Sequence, residues 1–304
     1  MNPETIIKVD HLSKRFGSFQ AVRDVSFQVN RGDVFGFLGP NGAGKSTTIR
    51  CMLSLIKNDS GTIEMFGKSY DKNRTEILAN IGSIIEKPDF YKYLSAEKNL
   101  EIFARISGAN VSKKEIQEML DFVGLSGRGK DKIGGFSHGM KQRLGIAQTL
   151  LHQPDLIILD EPTTGLDPQG IVEIRNLIIR LKTEQNKTIL LSSHQLSEIE
   201  LIANRMVIIN KGKTIVEGDV KELLNAQEVV VKIEVNRLTD ACELVSKAFD
   251  IQDIRSINEH EFEINIEKQL VPKVNGLLVQ HGIEVHSIEP KRKLEDFFMK
   301  IIQS

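Results

Sequence analysis

At 304 residues the chain is long enough for one large domain and a small one, and 40% hydrophobic with 27% charged residues is the balance of a protein that buries a sizeable core. A formal charge of −1 gives no electrostatic footprint for nucleic acid, and no apolar run approaches the ~20 residues that span a bilayer. Cys51 and Cys242 lie far apart and read as packing residues of a reduced, cytosolic protein, and "MNPETIIKVD" has no charged-then-apolar signal pattern.

In chain order, "IIKVDHLSKRF" and "AVRDVSFQV" alternate apolar and polar residues, which predicts strands with one buried face. "RGDVFGFLG" predicts a turn and a short buried strand. "KSTTIRCMLSLIKNDSG" predicts a helix with Ile49, Met52, Leu53 and Ile56 on one face, closed by a turn at Asp59 to Gly61. Residues 94–123 read as mostly helical and amphipathic. "LIILDEP", a continuous apolar run between prolines, predicts a central parallel strand buried on both faces. "IVEIRNLIIRLK" predicts a helix, "KTILLSSH" another buried strand, and "RMVIINKGKTIVEGD" a hairpin turning at Lys211 and Gly212. Strands alternating with helices imply a parallel α/β sheet, edged by an antiparallel piece.

A boundary is expected near Gly218, with Asp219 and Glu222 as a helix-start pair. The expected domains are residues 1–222 and 223–304. The second reads strand (229–235), helix (238–249), strand (251–257), strand (261–266), helix (268–281), strand (283–288). That βαββαβ order predicts a ferredoxin-like sandwich, followed by a last helix in "KLEDFFMKII".

Three segments carry chemistry. "GPNGAGKST", comprising Gly39, Pro40, Asn41, Gly42, Ala43, Gly44, Lys45, Ser46 and Thr47, sits between a predicted strand and a predicted helix. Its glycines let backbone N–H groups converge on phosphate oxygens at a helix N-terminus, Lys45 supplies a mobile positive charge, and Ser46 a hydroxyl for Mg²⁺. In "LIILDEP", Asp160 ends a buried strand at the edge where α/β sheets bind ligands and suits a metal-holding carboxylate. Glu161 suits a general base for an attacking water. "GGFSHGMKQR" offers two glycines, a serine placed to cap a helix and a basic face, a second anion-holding design. It reads equally as a capped core helix carrying Met140, Leu144, Ala147 and Leu151.

With these residues, the chain resembles the nucleotide-binding subunit of ABC transporters from Ile6 to about Glu222. The order of phosphate loop, Q-loop, signature, Walker B, D-loop and switch histidine is that family's. The resemblance implies a P-loop ATPase fold with a parallel core sheet, an antiparallel β edge and a helical subdomain at about 88–152. It places "FSHGMKQR" at the signature, Asp167 of "TTGLDP" in the D-loop, His194 of "LLSSHQLSE" at the switch position, and Phe16 against adenine. It also implies two subunits pairing head to tail around two ATP molecules. Ser137 Oγ and the Gly139 N–H would then reach the γ-phosphate bound by the other subunit.

Two departures stand out. His138 replaces a signature glycine and reads as a modulator of that contact or, preferably, as a solvated loop residue. Glu86 replaces the Q-loop glutamine, bringing a full charge near Mg²⁺ and phosphate that a cation must compensate, unless it faces solvent. That glutamate and the tail "LEDFFMKI" resemble the ATPases of bacitracin-resistance and lantibiotic-immunity exporters, relatives of the daunorubicin-resistance type. "KPDFYKYL" would then face a permease, or its aromatics would staple the next helix. The expected function is an ATP-hydrolysing motor subunit of an exporter, a homodimer on the cytoplasmic side of a separately encoded permease, without nucleic acid. The alternatives are a soluble ABC-type ATPase or a nucleotide-sensing module without a transport role.

Overall fold

The computed structural model describes residues 4–224, 228–251, 254–292 and 298, and divides into two compact units, Met1–Asp219 and Val220–Ser304. In the first, β1 (Thr5–Phe16) and β2 (Phe19–Asn30) form the long antiparallel hairpin that their alternation predicts. β3 (Val34–Leu38) leads through the glycine loop into α1 (Lys45–Met52). α1 stops earlier than expected. Ser54 takes a left-handed φ of 53° and the Leu55 N–H bonds back to Arg50 O, so Leu53 and Ile56 lie in a turn beyond the helix.

β4 (Ser60–Met65), β5 (Lys68–Ser69), α2 (Tyr70–Ala79) and β6 (Ile81–Ile84) follow. The expected helical stretch divides into α3 (Ala96–Ile106), capped by Ser95, and α4 (Lys113–Phe122), which opens on a capping box between Ser112 and Glu115. α5 (His138–Leu150), β7 (Leu156–Leu159), α6 (Pro168–Gln185), β8 (Thr188–Ser193), α7 (Leu196–Ile202), β9 (Arg205–Asn210) and β10 (Lys213–Asp219) complete the unit.

All ten strands join one sheet in the order β5-β4-β1-β2-β10-β9-β3-β8-β7-β6. The five from β9 to β6 are parallel, and β3, β7 and β8 are buried at every position, as continuous apolar runs between helical layers require. β8 lies between β3 and β7, so the carboxyl ends of these neighbours deliver the glycine loop, His194 and the Asp160–Glu161 pair to one edge. In the core Phe27 stacks on Phe35 and meets Phe37 at a tilt. This is the parallel α/β sheet with an antiparallel edge that the sequence implies.

The second unit contains α8 (Val220–Leu224), β11 (Glu228–Val235), α9 (Leu238–Phe249), β12 (Ile254–Ser256), β13 (Glu261–Glu267), α10 (Val271–Gln280) and β14 (Val285–Arg292). Its sheet runs β12-β13-β11-β14 with all neighbours antiparallel, and both long helices pack on one face through Ala241, Val245, Val274 and Leu278. Apart from position 298, the last helix expected in "KLEDFFMKII" lies outside the described residues.

Candidate functional site

The loop after β3 is built so that only glycine fits at its turning points. A Cβ on Gly39 would come within 2.5 Å of Ile209 O, and one on Gly44, at φ 103°, within 2.6 Å of Ala21 O. Gly44 caps α1 without a side-chain hydrogen bond, and the first turn carries no acidic residue. The helix therefore presents uncapped N–H groups and its positive dipole end, a geometry suited to phosphate. The hairpin turn between β9 and β10 braces the loop from behind. The Gly212 N–H donates to Ala43 O (2.9 Å), while Gly212 O accepts from the Arg23 N–H (2.7 Å).

Lys45 curls back over this loop. Its Nζ donates to Gly39 O (2.7 Å) and Pro40 O (3.3 Å), lies 3.1 Å from Glu161 Oε1, and its side chain is only 5% exposed. Asn41 and Gly42 are exposed at the loop's tip, Ala43 is buried beneath it, and Ser46 and Thr47 are half-buried in the first turn of α1.

Asp160 closes β7 and is buried; its Oδ1 accepts from Ser192 Oγ (2.5 Å), which itself accepts from the Glu161 N–H (2.8 Å). Glu161 stands at a left-handed φ of 47°, uncommon for a bulky residue and a form of strain that concentrates at functional sites. Besides Lys45, its carboxylate meets Thr164 Oγ1 (2.8 Å) and His194 Nδ1 (3.0 Å), both at Oε2. A proton on Nδ1 makes the latter a hydrogen bond and leaves Nε2 free to accept. Burial pushes the Glu161 carboxyl up, but the Thr164 hydroxyl, the Lys45 ammonium and His194 outweigh it and hold the group below its ordinary range. A side chain with this charge and these neighbours is an ionised carboxylate beside the glycine loop.

Ser137 caps α5, its Oγ accepting from the Met140 N–H (3.2 Å), and Leu144, Ala147 and Leu151 are buried, so the core-helix reading of this segment holds. Gly139 lies against Leu166, a Cβ there falling 3.9 Å from Leu166 Cδ2. His138 is half-buried, and its Nε2 lies 3.3 Å from Thr164 O in an exposed contact. Asp167 caps α6 by accepting from the Gly170 N–H (3.0 Å). Glu86, at φ 65°, is exposed and ion-paired with Arg50, one helical turn beyond Ser46. Phe16 and Phe19 are both exposed at the tip of the β1–β2 hairpin, with the Lys14 ammonium 5.5 Å over the Phe16 ring. Of the three aromatics after Glu86, Phe90 is buried edge-on against Phe103 in α3, whereas Tyr91 and Tyr93 are exposed.

Sequence reasoning missed Thr164, Ser192 and Arg50. Only the position of Thr164, three residues after Glu161 in a turn, carried a local signal. Among the described residues no three His, Cys, Asp or Glu side chains gather as a metal cluster. One hydroxyl (Ser46) and one buried carboxylate (Asp160) suit a hard cation that draws its remaining oxygens from phosphate and water.

The sequence profile described as "ABC transporter" matches residues 22–164. The chain is 46% identical over 299 residues to the bacitracin transport ATP-binding protein BcrA of Bacillus licheniformis, covering 98% of this chain and 97% of that one. It is 41% identical over 224 residues to the lantibiotic transport ATP-binding protein SrtF of Streptococcus pyogenes, covering 74% and 95% respectively. These are the groups that Glu86 and the tail resemble. Among solved structures, it shares the fold of MJ0796, an ATP-binding cassette in a dimeric post-hydrolysis state bound to ADP and Pi (TM-score 0.62, 24% identity, 71% of this chain and 99% of that one). From the profile, the relatives and a lysine, a carboxylate and a histidine joined beside a phosphate loop, it follows that this chain belongs to the ABC transporter family of ATP-binding, ATP-hydrolysing proteins.

Proposed function

We propose that the chain is the motor subunit of an exporter of the bacitracin and lantibiotic transport type, working as a head-to-tail homodimer on the cytoplasmic side of a separately encoded permease. The observation that carries the reading is the joining of Glu161 to both Lys45 and His194 at the carboxyl edge of adjacent strands. ATP phosphates entering the loop compete for Lys45 with Gly39 O, Pro40 O and Glu161. As the ammonium turns to phosphate, Glu161 loses its strongest cationic neighbour, its proton affinity rises, and it becomes a better base for the attacking water. His194, held at Nδ1 by Glu161, turns Nε2 toward the terminal phosphate, and it donates to both only with a proton on each ring nitrogen. Ser46 and Asp160 would hold Mg²⁺, with Glu86 as a further candidate; the ion neutralises charge on the transferring phosphoryl group.

Each chain has one phosphate loop and one signature segment, so a pair makes two composite sites, with Ser137 and Gly139 serving the partner's nucleotide. The dimeric state of MJ0796 is the arrangement we carry over. Exposed Tyr91 and Tyr93 suit docking against the permease, which selects the amphiphile that is moved, and the second unit suits a regulatory or dimer-supporting role. The test is the solution mass of Glu161→Gln. It doubles with MgATP and not without, and Ser137→Arg abolishes the doubling. Lys45→Ala loses hydrolysis altogether; near-normal turnover by that variant would refute the site.

A further inference from the structure

His138 connects the signature segment to the catalytic carboxylate of its own chain. Its imidazole lies over Gly165, where a Cβ would fall 3.7 Å from Nε2, and Nε2 points to Thr164 O at 3.3 Å. A carbonyl only accepts, so this contact requires the proton on Nε2. The same Thr164 turns inward: its N–H donates to Glu161 O (3.2 Å), closing a tight turn, and its Oγ1 donates to Glu161 Oε2 (2.8 Å). From there the carboxylate reaches His194 (3.0 Å) and Lys45 (3.1 Å). Next to it, a Cβ on Gly139 would fall 3.9 Å from Leu166 Cδ2, two residues on from Thr164. A glycine at position 138 would leave the Thr164 carbonyl without this donor.

We propose that His138 is a positioning residue, which fixes the Thr164 turn and through the Thr164 hydroxyl sets the orientation of the Glu161 carboxylate. The inference rests on the head-to-tail reading for its direction. If Ser137 and Gly139 take up the partner's nucleotide, the residue between them relays that engagement to the base acting on this subunit's own nucleotide. Each active site is then informed that the other is filled. Thr164 contributes the link twice, by its carbonyl toward His138 and by its hydroxyl toward Glu161. Hydrogen bonds arranged in series act as a unit, so removing any one link costs about as much as removing both.

The experiment measures MgATP turnover of the full chain at several ATP concentrations for His138→Gly, His138→Gln, Thr164→Val and the His138→Gly/Thr164→Val pair, with thermal melts as the folding control. His138→Gly is expected to lower kcat at least about ten-fold, within the ~100-fold that a ~1 Å misplacement of a catalytic group can cost, while KM moves less than about two-fold. It should also flatten the cooperative dependence on ATP toward a Hill coefficient of about 1, since the sites no longer communicate. His138→Gln, whose amide places a donor near the position of Nε2, restores most of the rate. The double variant is no slower than its slower parent. An unchanged kcat in a folded His138→Gly protein, or losses that multiply in the double variant, would overturn the relay. The head-to-tail reading is scored separately by the mass of Glu161→Gln under MgATP. Failure to double removes the arm between subunits, whereas doubling with an unaltered His138→Gly rate rejects the relay alone.

Discussion

At Glu161, burial and pairing act on one carboxyl in opposite directions, and pairing prevails. A carboxyl whose folded proton affinity is depressed stabilises the fold above its unfolded value, near 4.5, and loses that contribution as pH falls through the folded value. Wild type and Glu161→Gln should therefore differ most in urea midpoint near neutrality and converge as pH falls through the depressed folded value. In Lys45→Ala, carbon-detected NMR of the nucleotide-free protein should show the Glu161 carboxyl titrating higher than in wild type, because its nearest ammonium is gone. Glu86 poses the complementary problem, a carboxylate where the family carries a neutral amide, and Arg50 supplies the compensating charge. Glu86→Gln should raise the Mg²⁺ concentration that half-saturates hydrolysis several-fold; an unchanged value would assign Glu86 to Arg50 alone. The phosphate loop was legible in the sequence because its chemistry sits in consecutive residues. Arg50–Glu86, Ser192–Asp160 and Thr164–Glu161 were not, because each pair forms only when strand adjacency or turn geometry brings its members together.

At the scale of elements, the carboxyl edge is set by how closely the helices lie on the sheet. Gly82 in β6 faces α5, and a Cβ there would stand 2.5 Å from Thr149 O and 2.8 Å from Thr149 Cβ. Backbone cannot yield as a flexible side chain does, so Gly82→Ala should destabilise the first unit by about 1–3 kcal/mol, read as a lower urea midpoint at unchanged slope. β3, β7 and β8 were legible as uninterrupted apolar runs. β4 and α2 were not: β4 is mostly exposed or half-buried at the sheet's antiparallel end, and α2 has a kink at Asn73, so neither shows a clean period. The length of α1 was overestimated because its apolar spacing continues past Met52, while a left-handed Ser54 turns the chain away. Periodicity records which side chains are buried, and a tight turn can bury Leu53 as well as a helix does.

For the whole molecule, the two units have separate cores, one around Phe27, Phe35 and Phe37 and one around Val231, Ile233 and Phe262. Scanning calorimetry should resolve two transitions, and MgATP should raise only that of the first unit, where the loop lies, by the amount that binding linkage dictates. A single transition shifted as one would show that the units unfold together. The brace behind the loop carries a further consequence, for how this protein tolerates mutation. Gly212 stands at φ 78°, and a Cβ on it would press within 2.9 Å of Ala21 O, 3.0 Å of Arg23 N and 3.1 Å of Val22 Cα. In a saturation library scored for turnover, position 212 would behave like a member of the phosphate loop, although it lies far downstream and touches the loop only from behind, through Ala43. A glycine with no chemistry of its own is thereby bound to the same selection as Lys45.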